Sequence, residues 1–183
     1  MTTYIVLLRA VNLGGYGKLS MGEFRKMLEG LGYKNVETYI QSGNAVFDAS
    51  GTAEKVVKAV SAGLEKLMGT PTGVVIRTHA DLERVIKHNP FVAEAVDGTK
   101  VHVAFLSGPA GPAAREGLDR IVTQYPKRRD RYHLDGDTLY LHLPEGAAET
   151  KFTGKSLDRA MGGVIGTARN WNTVLKLHAM SKR

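Results

Sequence analysis

Residues 4–47 read YIVLLRAVNLGGYGKLSMGEFRKMLEGLGYKNVETYIQSGNAVF, and the order of elements in this stretch decides the fold. Residues 4–11 are a near-continuous apolar run of strand length, broken only by Arg9, and read as a mostly buried strand. Ser20 with Glu23 three positions on makes a capping box. Met21, Phe24, Leu28 and Leu31 then recur on one helical face until Gly32 stops the helix. Two short strand candidates, residues 36–40 and 45–47, flank Ser42-Gly43, a turn pair in which glycine can take positive φ.

Outward from this stretch the pattern continues. Residues 54–68 place Val56, Val57, Val60, Leu64 and Leu67 at helical spacing, and residues 73–78 return as strand, so the first 80 residues read β-α-β-β-α-β. A short helix over 81–88, ended by Pro90, leads onward. The same order then recurs: a strand over 101–107, a helix over 112–123 entered through Gly111 with Pro112 in its first turn, and a hairpin of 131–134 with 138–143 across Asp135-Gly136-Asp137. A helix over 155–161, extended chain over 164–169 and a helix over 171–180 complete it. Corresponding strands begin roughly 92 to 97 positions apart, which supports an ancient duplication. The expected fold is α+β, with two ferredoxin-like (β-α-β-β-α-β) halves over 1–80 and 99–183. Each has an antiparallel sheet, a connecting helix and loop span 81–98, and a C-terminal helix is added to the second half.

Composition limits the function classes. The chain has 183 residues, 43% of them apolar, enough to bury a core without staples. Cysteine is absent, which excludes thiol catalysis, cysteine-zinc sites and disulfides together. The amino terminus lacks a basic n-region and a cleavage site, and Arg9 interrupts its apolar run. Neither a signal peptide nor a membrane span is expected, and the cytoplasm is the default compartment. Lysine and arginine total 25 against 18 acidic residues, a net charge of +7, which favours phosphates and polyanions without specifying one.

In strand order 4-1-3-2, the loop after the first strand and the hairpin between strands two and three emerge at one sheet end. Asn12, Gly14, Gly15, Gly17 and Lys18 should therefore lie beside Gln41, Ser42 and Asn44, with Arg9 at the end of its strand. The NLGGYGK segment reads as a phosphate cradle or as a turn whose glycines relieve sterics. A Walker A loop would need glycine where Asn12 stands and serine or threonine where Leu19 stands, so that device is not expected. Arg9 in an apolar strand must find a carboxylate, carbonyls or a bound anion. Gln41, Ser42 and Asn44 suit either ligand hydrogen bonds or a tight hairpin that binds its own backbone.

A second candidate region is TARNWNT, residues 167–173. There Arg169 closes a strand, Asn170 or Asn172 caps the last helix, and Trp171 either stacks on a ligand or anchors packing. Lys127, Arg128, Arg129 and Arg131, with Tyr125 and Tyr132, form the densest basic segment, open to weak, non-specific nucleic-acid contact or to simple solvation. The six histidines show no HExxH or other metal spacing, so no metal site is expected. No general base, cofactor motif or nucleophile elbow stands out, which leaves enzymatic activity undecided.

LLRAVNLGG (7–15), YIQSGN (39–44), HNPF (88–91) and TARNWNT, in that order, resemble domain of unknown function family 1697 (DUF1697) over nearly the whole chain. Ala10 departs from the glycine usual in the family's LLRGxN motif. The resemblance implies a compact α+β cytosolic protein of a kind widespread in bacteria, without an assigned role or catalytic residues. From the glycine-rich loop, its basic residues and the QSGN hairpin, the expected partner is a small anionic or phosphorylated ligand at Arg9, Asn12, Gly14, Gly15, Lys18, Gln41, Ser42 and Asn44, with Arg169 and Asn170 as further candidates.

Overall fold

The computed structural model describes residues 1–15 and 17–183. Its elements run β1 (Thr2–Leu8), α1 (Met21–Gly30), β2 (Lys34–Tyr39), β3 (Asn44–Ala49), α2 (Ala53–Met68), β4 (Val74–Thr78), α3 (His79–His88), β5 (Val101–Leu106), α4 (Ala114–Gln124), β6 (Arg131–Asp135), β7 (Thr138–His142), α5 (Gly154–Met161), β8 (Gly166–Asn170) and α6 (Trp171–Ser181). The strands form two four-stranded antiparallel sheets, ordered β2-β3-β1-β4 and β6-β7-β5-β8. This is the expected α+β arrangement, with order 4-1-3-2 in each half. The chain divides into two compact units, Met1–Arg84 with Lys176–Arg183, and Val85–Leu175.

In the first unit, strand alternation turns Tyr4, Val6 and Leu8 to one face together with Phe47 and Ile76. Phe24 and Leu28 of α1 and Val56, Val60 and Leu64 of α2, spaced by one helical turn, pack in the same core. Burying each of these large side chains stabilises the unit by about 1.5–3 kcal/mol. In the second unit Leu106, Leu139 and Leu141 pack with Leu118 of α4 and Met161 of α5.

The two sheets match in register as well as in order. Leu8 N donates to Gly43 O at 2.8 Å and Leu106 N to Asp137 O at 2.9 Å; Arg9 N donates to Gly73 O at 2.9 Å and Ser107 N to Ile165 O at 2.7 Å. Ile5 faces Arg77 across β1 and β4, and Val103 faces Arg169 across β5 and β8. Both arginines are buried.

Several boundaries differ from the sequence expectation. β1 ends at Leu8 instead of residue 11, because Ala10 and Asn12 take left-handed φ of 56° and 55° and turn the backbone out of the sheet. Arg9 therefore lies at the exit of the strand, half-buried, and not inside it. α3 begins at His79, two residues early, because Thr78 and Asp81 cap it reciprocally. The Asp81 carboxylate accepts from Thr78 N, and Thr78 Oγ1 accepts from Asp81 N. Pro112 sits in a turn closed by Ala114 N to Gly111 O, so α4 starts two residues later than its proline suggests. No described helix is long and apolar enough to cross a membrane.

Candidate functional site

The loop after β1 and the β2-β3 hairpin meet. Asn12 holds them together: its Nδ2 donates to Gln41 O and to Leu19 O, each at 2.8 Å, while its Oδ1 accepts from Leu19 N at 2.9 Å. The side-chain amide is thus fully engaged by the protein itself. Asn44, fully buried, donates from Nδ2 to Tyr39 O at 2.9 Å and to Ser42 Oγ at 3.0 Å, closing the four-residue turn 40–43. These two asparagines and Ser42 brace the loop and the hairpin turn. Gln41 and Lys18 are exposed beside them and Arg9 is half-buried.

Backbone geometry distinguishes the loop. Left-handed φ occurs at Ala10 (56°), Asn12 (55°) and Gly14 (55°) but not at Val11 or Leu13, and Gly15 (88°) and Gly17 (60°) follow. Alternation of φ sign is the backbone pattern that turns neighbouring amide N–H groups toward one side in anion-binding nests, and here the Asn12 N–H donates to Gly17 O at 3.0 Å. Tyr16, inside this segment, lies outside the described residues. The start of α1 offers this loop no free donor at its cap: Ser20 Oγ accepts from Glu23 N at 3.1 Å and donates to Glu23 Oε2 at 2.8 Å. The Glu23 carboxylate already answers the helix dipole there.

Among the candidates of the second unit, Arg169 is buried and donates from Nη1 to Thr167 Oγ1 and Ala168 O, both at 2.8 Å. Burial pushes its guanidinium down to about 10, still charged at neutral pH. Asn170 is the cap of α6, its Oδ1 accepting from Thr173 N at 2.9 Å, whereas Asn172 packs against Gly98. Trp171 is only 4% exposed, which leaves no ring face for a base. In the basic segment, Arg128 pairs with Glu149 at 3.5 Å, Arg129 with Glu145 at 2.9 Å, and Arg131 with Glu94 while lying over the Phe91 ring.

The sequence reading did not find a cavity of about 520 Å³ between α4 and α5 in the second unit. Arg120, Tyr125, Lys151 and Arg159 line it with Ser156, and the Lys151 ammonium stands 5.4 Å from the centre of the Tyr125 ring. Arg120 with Gln124, and Ser156 with Arg159, share helix faces at i, i+4 and i, i+3, a signal visible in sequence. That the two faces confront one another is visible only in the fold.

No curated protein matches the chain. The solved structure of a conserved bacterial protein from Streptococcus pneumoniae is similar over 99% of both chains, at 22% identity and a TM-score of 0.71, a likeness of fold. The profile of the family described as "Protein of unknown function (DUF1697)" matches residues 1–140, a span that takes in LLRAVNLGG, YIQSGN and HNPF and stops short of TARNWNT. With most of its length matched, the chain belongs to that family.

Proposed function

We propose that the protein is a binding module for a small anionic, phosphate-bearing ligand, held by the backbone of residues 10–15 and 17 with Arg9, Lys18 and the exposed edge of Gln41. The observation that carries this reading is the alternating left-handed backbone from Ala10 to Gly14, a conformation costly at Ala10 and one that anion-binding backbone nests share. Asn12 supports it by pinning the loop to the hairpin, so that donors are pre-organised before a ligand arrives. Cytoplasmic location is part of the same reading. The ion-paired basic segment and the buried Trp171 favour the small-ligand reading over a nucleic-acid module.

A second reading places the anion in the α4-α5 cavity, where Arg120, Lys151 and Arg159 converge. Thermal shift with inorganic phosphate, pyrophosphate and a nucleoside monophosphate separates the two. Ligand at a hundred times its dissociation constant adds about 2.7 kcal/mol, roughly 5–10 °C for a chain of this size. Lys18→Ala should abolish the shift and Lys151→Ala should leave it. The reverse outcome assigns the anion to the α4-α5 cavity, and no shift with any of the three removes the proposal.

A further inference from the structure

His79 and Glu83 stand one turn apart on α3, and α6 brings His178 against them within the first unit. Glu83 Oε1 lies 3.6 Å from His79 Nε2 and 4.0 Å from His178 Nε2, and the three residues offer ligand atoms within 4.8 Å of one another. From this geometry we infer that His79, Glu83 and His178 form a binding site for a divalent transition-metal ion of the zinc type.

Hydrogen bonding fixes which nitrogen of His79 faces the cluster. His79 Nδ1 is 2.9 Å from Ser181 Oγ, and that hydroxyl gives its one proton to His178 O at 2.9 Å. The hydroxyl must therefore accept from His79 Nδ1–H, which leaves Nε2 as the nitrogen turned to the Glu83 carboxylate. A ring nitrogen aimed at a carboxylate oxygen calls for a cation between them, a proton or a metal ion in its place. A metal-bound imidazole is commonly held in this way by a hydrogen bond from its other nitrogen. Ser181 is itself buried, so the orienting contact is shielded from solvent.

His178 supplies a second donor. Its Nε2 is buried and makes no hydrogen bond. The two rings now stack with centroids 4.3 Å apart and planes 16° from parallel, whereas both lone pairs must point at one ion. His178 is the ring that turns, since its Nε2 has no bond to lose while Ser181 holds His79. Ligand atoms bound at about 2.0–2.2 Å around a tetrahedral ion stand roughly 3.4 Å apart, close to the 3.6 Å and 4.0 Å already present. Two imidazole nitrogens and one carboxylate select zinc, nickel, cobalt or copper over calcium or magnesium, which prefer all-oxygen sites. Three protein ligands leave a coordination position for solvent.

Calorimetric titration of the full chain with zinc chloride in a non-chelating buffer, repeated with cobalt(II) to read its visible absorption, tests the site. One ion per chain is expected. Glu83→Gln and His178→Gln should each weaken binding by about a hundredfold, and Ser181→Ala by about tenfold, the range known for loss of an orienting contact. His88→Gln, outside the cluster, should change nothing. Glu83 is 62% exposed, so Glu83→Gln should keep the wild-type circular dichroism and melting point without metal, which separates loss of a ligand from loss of fold. The inference is overturned if the wild type binds no zinc or cobalt, if Glu83→Gln and His178→Gln bind as the wild type does, or if His88→Gln removes the ion.

Discussion

Single residues decide the shape of the β1 exit. Ala10 is exposed and left-handed, a conformation that costs a residue with a Cβ about 1 kcal/mol or more. Glycine adopts it freely but gives back roughly 0.4–1 kcal/mol through the unfolded chain. Ala10→Gly should therefore leave stability unchanged or raise it by about 0.5 kcal/mol in urea titration; a loss above about 1 kcal/mol would contradict a left-handed Ala10. Gly43 is the opposite case. At φ 82° an added Cβ would stand 2.7 Å from Val11 Cγ2 and 2.8 Å from Leu8 Cβ, with no flexible side-chain end to give way. Gly43→Ala should cost about 2–4 kcal/mol, seen as a lower urea midpoint at unchanged m. A loss under about 1 kcal/mol would mean that hairpin and strand do not approach so closely.

Helix and strand contacts carry predictions of their own. Gly63 of α2 faces the Met27 side chain of α1, whose sulfur would stand 2.6 Å from an added Cβ, whereas Gly117 of α4 faces Ala160 of α5 at 2.8 Å from its Cα. Methionine can swing aside and backbone cannot. Gly63→Ala should be neutral or stabilise by up to about 1 kcal/mol through helix propensity, while Gly117→Ala should destabilise by about 1–3 kcal/mol. Equal effects in thermal melts would refute this account of the two helix pairs. Asp48 of β3 joins three segments, accepting from Asn35 Nδ2 and Thr3 Oγ1 at 2.7 Å and from Arg183 Nη1 at 3.3 Å. The Asn35 amide foremost, then the Thr3 hydroxyl, holds its carboxyl below the usual aspartate range. A depressed folded value means the stabilisation is present above the unfolded pKa of about 3.9 and is lost as pH falls through the folded one. Asp48→Asn should cost about 1–2 kcal/mol at pH 7, and its gap from wild type should close below about pH 4. A gap constant down to pH 2.5 would show that the charge is not what those donors hold.

At the scale of the whole chain, element order was legible because apolar periodicity and caps such as Ser20 with Glu23 are local signals. The end of β1 was not, because RAV continues an apolar run and nothing in an alanine announces a left-handed turn. The α4-α5 cavity and the meeting of His178 with His79 and Glu83 were hidden for a different reason: their residues lie far apart in sequence, and only packing joins them. The net charge of +7 also overstates the free positive surface, since Arg128, Arg129 and Arg131 are each paired with a glutamate. The two units share strand order and register but differ in what leaves the first strand of each: a left-handed, glycine-rich loop after β1, and the proline-containing SGPAGP after β5. Function is more readily written on such loops than on the frame beneath them. The central claim is that the frame is repeated and the anion site is not. A ¹⁵N–¹H correlation spectrum of the chain titrated with inorganic phosphate tests it most directly. Saturable shifts confined to the amides of residues 10–18 and of Gln41 are predicted; shifts centred on Lys151, Ser156 and Arg159, or none that saturate, would contradict it.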